Sequence, residues 1–225
     1  EKEEKENYYV TRVKILNESG ERKLGKPVGT YITIDVPALK NADQDLKDEI
    51  SQAVAKELRN IINPNKQTKS LIVGLGNWNI TPDALGPKVI DKVYVTRHLF
   101  EAYNKTEDED MTNVSAISPG VMGITGIETS ETIKGIVEKI NPDIVIAIDA
   151  LASRKMERVS TTIQITDAGI SPGSGIGNAR KALNKEFLGV PVYAIGIPTV
   201  VDAATMINDT MELIIAELKN QADKG

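Results

Sequence analysis

Three short apolar runs, SLIVGL (70–75), IVIAID (144–149) and VPVYAIGIP (190–198), constrain this chain more than any other feature. A stretch of consecutive apolar residues has no polar face to turn to water. It therefore reads as a strand covered on both sides, the usual condition in a parallel sheet. Between the runs lie segments with helical period. ADQDLKDEISQAVAKELRNII sets Leu46, Ile50, Val54, Leu58 and Ile61 or Ile62 on one stripe, and NPNKQ stops it. Pro82 suits a first helical turn, with Leu85, Val89 and Val93 continuing a stripe. SETIKGIVEKI (130–140) reads as a helix ended by NPD, and VVDAATMINDTMELIIAELKNQ sets Ile207, Met211, Ile214, Ile215 and Leu218 on one face. NVSAIS (113–118) and TTIQIT (161–166) add two strands.

Alternating strands and helices predict an α/β fold with a mostly parallel or mixed central sheet. YYVTRVKIL (8–16) and YITIDV (31–36), separated by the turn-rich NESGERKLGKPVG, predict an antiparallel pair and hence a small β-rich appendage. No fixed-period repeat or low-complexity linker interrupts the 225 residues, so one domain over 1–225 is the economical expectation.

In such sheets ligands sit beyond the carboxyl ends of the strands. Three apolar strands carry an acidic residue there: Asp83 in the loop after LIVGL, Asp149 at the end of IVIAID, and Asp202 after YAIGIP. Carboxylates converging in a crevice push their pKa values apart, so one stays protonated while the other acts as a base. They also suit a divalent cation.

The glycines around Asp83 pose a competing reading, since GLGNWN (74–79) resembles the start of a dinucleotide loop. Asn79 stands where the third glycine is required, and Asp83 would place negative charge at the helix start where a phosphate belongs. The plain alternative is a tight turn with Asp83 as a helix cap. ISPGSGIGNARK (170–181) lacks the Gly-Lys-Ser/Thr end of a Walker loop and reads equally as a loop closing over a substrate. SPGVMGITGIETS (118–130) is a third glycine-rich loop, carrying Glu128 toward a helix.

Several chemistries are excluded or unsupported. There is no cysteine, so no disulfide, Cys-based zinc site or thiol nucleophile exists. His98 is the single histidine, in VTRHLF, and reads as a satisfied or surface residue; no G-x-S-x-G elbow accompanies it. Trp78 reads as a loop anchor packed on the domain rather than a platform for bases. A net charge of −5 argues against nucleic acid or an anionic membrane as partner, and no apolar run approaches a bilayer span. The charged opening EKEEKEN has no signal-peptide core and reads as a solvated end.

Taken together and in order, LIVGLGNWNITPDALGP, VTRHLF, SAISPGVMGITGIETS, IVIAIDALASR, ISPGSGIGNARK and AIGIPTVVDA resemble the germination proteases of spore-forming bacteria, from about Tyr9 to Thr210. The resemblance implies a phosphorylase/hydrolase-like three-layer α/β sandwich, shared with the hydrogenase maturation proteases. It implies an endopeptidase, made as a zymogen, that begins the degradation of small acid-soluble spore proteins in the spore core during germination. It further implies a homotetramer, an atypical aspartic mechanism with Asp83 and Asp149 as the catalytic pair, no cofactor, and cleavage after glutamate. Arg97 and Arg154 are then candidates for the cationic substrate pocket, with Glu128 and Asp202 as further substrate-site residues. The family's pro-segment and C-terminal extension are expected to lie outside these 225 residues. The alternatives are a metal-dependent peptidase using the same carboxylates, a phosphate- or nucleotide-binding α/β enzyme, and a non-catalytic module that binds spore proteins.

Overall fold

The computed structural model describes residues 1–103, 111–173 and 181–222. Its centre is one eight-stranded sheet in the order β1-β2-β3-β7-β8-β6-β4-β5. The strands are β1 (Lys2–Glu4), β2 (Tyr9–Ile15), β3 (Gly29–Asp35), β4 (Ser70–Gly74), β5 (Val114–Ile117), β6 (Ile144–Ser153), β7 (Thr162–Thr166) and β8 (Val192–Val201). The three apolar runs are the parallel strands β4, β6 and β8, with β5 parallel at the edge. β1, β2, β3 and β7 join by antiparallel pairing.

The expected pair of N-terminal strands is present, with Tyr9 opposite Asp35 and Ile15 opposite Gly29. It is not a separate appendage: β3 bonds to β7, and β7 to β8, so the antiparallel half continues the parallel half. The turn-rich connection also holds a helix, α1 (Glu18–Leu24). Asn17 caps it by accepting from the Gly20 N–H, and Gly25 closes it in the left-handed region.

Helices cover both faces, giving three layers. α2 (Gln44–Ile62) starts at Asp43, whose side chain accepts from the Leu46 N–H at 2.9 Å, and ends at a left-handed Asn63. Its Ile50 packs with Ile32, Ile34, Ile163 and Ile165. The opposite face carries α6 (Thr129–Ile140), whose Ile133 and Val137 pack on Leu71, Val73, Val145 and Ala147, with Leu188 of α7 (Lys185–Leu188) alongside. β8 shows the alternation directly: Val192 joins the α6 cluster, whereas Ile195 and Ile197 pack on the α2 cluster. Burying each such side chain contributes roughly 1.5–3 kcal/mol.

Of the remaining helices, α3 (Leu85–Ile90) and α5 (Met122–Thr125) follow β4 and β5, and α4 (Arg97–Tyr103) precedes β5. The last helix, α8 (Ala203–Ala222), departs from expectation. Its apolar stripe is not buried: Ile207, Met211 and Leu218 are 63%, 52% and 60% exposed.

Candidate active site

Asp149 lies within β6 rather than at its end, because the strand continues to Ser153. Alternation puts it on the same face as Val145 and Ala147, one step past the part that α6 covers. It is 7% exposed, and its Oδ1 accepts the Ala150 N–H at 2.9 Å. Burial, first, and the neighbouring Asp83 charge, second, push its pKa from 3.8 up to about 7; the Ala150 N–H pulls weakly the other way.

Asp83 reaches this carboxyl from the next strand over. β4 pairs with β6 to Gly74–Ile148, and the Leu75 N–H donates to the Ile148 carbonyl at 2.8 Å, extending the ladder one step. The chain then turns through 76–80 into a short 3-10 turn at Thr81–Asp83. Asn77 N–H donates to the Asp83 carbonyl at 3.0 Å, and Asp83 N–H donates to the Ile80 carbonyl at 2.8 Å. Thr199 of β8 donates its hydroxyl to the Pro82 carbonyl at 2.6 Å, fastening the turn to a second strand.

The glycines are explained by this close packing. A Cβ on Gly86 would overlap the backbone of Leu75 and the Ile148 carbonyl, and one on Gly74 would overlap Gly86 and Ile90. Gly76, at φ +110°, lies under Asp83: a Cβ there would overlap the Asp83 carbonyl and come within 3.1 Å of Oδ1. The loop is therefore shaped to hold a carboxylate against the strand ends.

Each of the other sequence candidates has its own setting. Asp202 follows β8 and caps α8, accepting from the Thr205 N–H at 2.9 Å and its hydroxyl at 2.6 Å; the Thr205 hydroxyl, then the backbone N–H, hold its pKa low. Glu128 precedes α6 with no side-chain capping bond, its Oε1 buried and without a hydrogen-bond partner among the described residues. Arg97 pairs with Glu101 beside the starts of β4 and β5, the opposite end of those strands from Asp83. Arg154 directly follows β6, exposed and with no carboxylate partner among the described residues. His98 is exposed in α4. Trp78 does not anchor the loop against the domain; it is 53% exposed. Residues 174–180 of the third glycine-rich loop lie outside the described residues.

Among the described residues, no group of three His, Cys, Asp or Glu side chains forms a possible metal set. A divalent cation at Asp83 and Asp149 would need both carboxylates ionised, whereas burial and the neighbouring Asp83 charge favour the protonated form of Asp149.

The sequence profile described as germination protease matches residues 1–224. The chain belongs to the germination protease family. It is 56% identical to a germination protease of Clostridium perfringens (strain ATCC 13124) over 225 residues, which is all of this chain and 69% of that relative. It is 54% identical to one from Caldanaerobacter subterraneus subsp. tengcongensis, over 99% of this chain and 68% of the relative. Among solved structures, a hydrogenase maturating endopeptidase from E. coli overlaps 68% of this chain and 94% of its own length, at 17% identity and a TM-score of 0.32. An uncharacterized protein from Wolinella succinogenes overlaps 69% of this chain at 14% identity and a TM-score of 0.30. At that overlap neither solved structure positions a residue of this germination protease. No helix among its described residues is long and apolar enough to cross a membrane.

Proposed function

We propose that this germination protease hydrolyses peptide bonds with Asp149 as the protonated partner and Asp83 as the base. The observation that carries the reading is a buried carboxyl with its pKa pushed up to about 7 beside a second carboxylate, at the carboxyl edge of parallel strands. Asp83 takes a proton from a water, whose oxygen attacks the scissile carbonyl carbon. Asp149 donates its proton, first as a hydrogen bond to the carbonyl oxygen and then to the departing amine as the C–N bond breaks. The proton gained by Asp83 returns to Asp149 and resets the pair.

The motifs shared with the family support small acid-soluble spore proteins as substrates, cleavage after glutamate, zymogen control, a homotetramer and a location in the spore core. Arg154, which has no carboxylate partner among the described residues, suits the glutamate pocket better than Arg97, which is already paired with Glu101.

The test is cleavage of a small acid-soluble spore protein by the full-length processed enzyme, read by mass spectrometry, with and without a strong chelator. Asp83→Asn and Asp149→Asn should each lower kcat by about 10²–10⁴-fold while remaining folded, and the chelator should change nothing. Near-normal cutting by either variant would remove that residue from the mechanism. Loss of cutting with chelator would make the pair metal ligands.

A further inference from the structure

The turn that carries Asp83 is fastened on both sides of the strand that carries Asp149. On one side it leaves β4 through Leu75, whose N–H donates to the Ile148 carbonyl of β6 at 2.8 Å. The turn then lies close to both β6 and β8. On the far side Thr199 of β8 donates its hydroxyl to the Pro82 carbonyl at 2.6 Å. β8 pairs with β6 and not with β4, so this bond reaches across the strand of Asp149. The bonds from Asn77 to Asp83 and from Asp83 to Ile80, by contrast, join residues of the turn itself.

Thr199 owes its place to an irregularity in β8. Asp149 lies level with Gly196, Ala150 with Ile197 and Leu151 with Pro198, after which Ala152 lies level with Val200. Thr199 is skipped: a bulge leaves it with no counterpart on β6, an uncommon feature between parallel strands. The bulge is pinned at Pro198. That residue has no N–H to offer the ladder, and its carbonyl accepts the Ser160 N–H at 2.7 Å from the β7 side. Ser160 makes this bond from the left-handed region, at φ +58°, where a residue other than glycine is uncommon. Bulges bend a strand, re-aim a side chain and concentrate beside active sites. Here the skipped residue is the one whose hydroxyl meets the Asp83 turn.

Resting on the catalytic reading above, we infer that Thr199 is a positioning residue, whose hydroxyl bond to Pro82 fixes how closely Asp83 approaches Asp149. It acts through Asp83. Two carboxylates brought together repel when both are ionised, so the turn that carries one of them has to be tied down. Reaction geometry is exacting, since a displacement of about 1 Å costs on the order of 10²-fold in rate. The tie also bears on the proton. Burial first, and the Asp83 charge second, raise the pKa of Asp149. A looser turn weakens the second effect and lets water closer, so Asp149 gives up its proton at lower pH.

Thr199→Ser and Thr199→Ala differ only in the hydroxyl, and steady-state cleavage of a small acid-soluble spore protein by the full-length processed enzyme reads the difference. Thr199→Ala should lower kcat by about 10- to 100-fold with KM within about twofold of wild type. Thr199→Ser should restore kcat to within about threefold. The descending limb of the kcat–pH profile, near pH 7 in wild type, should move to lower pH by about half a unit or more in Thr199→Ala and return in Thr199→Ser. Thr199→Val, which keeps the shape and lacks the hydroxyl, should match Thr199→Ala. Thr199 is only half-buried, so these changes leave the core intact. A purely structural role would lower the melting temperature and the active fraction without moving that limb. Wild-type kcat in Thr199→Ala, an equal loss in Thr199→Ser, or an unshifted limb would overturn the assignment. Loss of cutting in Asp83→Asn and Asp149→Asn beside an unaffected Thr199→Ala would sink the positioning role and leave the catalytic reading standing. Near-normal cutting by either Asn variant would sink the catalytic reading itself.

Discussion

A carboxyl that titrates near 7 ties the protein's stability to the same pH range as its chemistry. Asp149 holds its proton up to about 7 in the folded chain, against 3.8 when unperturbed. Between those values the folded state binds more protons than the unfolded one, so this contribution to stability is full below about pH 4 and is lost as pH rises through 7. Asp149→Asn cannot ionise and escapes that loss. Unfolding free energies from urea titrations should show the variant matching wild type near pH 4 and exceeding it at pH 8 by on the order of 4 kcal/mol. Parallel profiles would mean that Asp149 is not buried as described. Activity that needs the protonated form should fall over the same upward sweep through pH 7.

At the scale of elements, α2 and α8 have similar lengths and opposite circumstances. α2 is capped at both ends and packs Ile50 and Ala53 against the sheet. Its Glu57, 2% exposed, accepts two hydrogen bonds from Arg12, at 2.9 and 2.6 Å, which fasten it to β2. α8 is held by the Asp202 cap and by Asp209, which accepts the Met156 N–H at 2.7 Å. A helix with its apolar stripe in water has little tertiary support. In the 225-residue chain, hydrogen exchange of α8 amides should run at least tenfold faster than that of α2, and Asp202→Ala should accelerate it further by removing the helix cap. Equal protection of the two helices would show that α8 has a partner surface.

Over the whole molecule, the sheet is the unit of cohesion. β7 bridges the halves: Ile163 and Ile165 pack toward α2, and its ladders join β3 to β8. A chain organised this way should unfold as one domain over 1–225. Far-UV circular dichroism and hydrogen exchange of β2 and β4 should report one shared urea midpoint. Separate midpoints for the β1–β3 segment and the β4–β6 segment would divide it in two.

Much of this was legible in the residues themselves. Consecutive apolar side chains marked β4, β6 and β8, because a run with no polar face must be covered on both sides. Helical period marked α2 and α6, and Asp83 and Asp149 stood out as acids at or beyond parallel strand ends. α1 was missed, although Asn17 and Gly25 were its cap signals, because seven residues rich in turn-formers read equally as loop. The period of α8 was visible while its exposure was not, since period reports which residues share a face and not what lies against it. Strand order, the antiparallel insertion of β7, and the approach of Gly86 to β4 and β6 depend on contacts between distant segments, which no local pattern encodes. The sequence by itself determined the elements and the two carboxylates. The tertiary structure decided that one of them is buried enough to keep its proton, because desolvation belongs to what surrounds a residue and not to the residue.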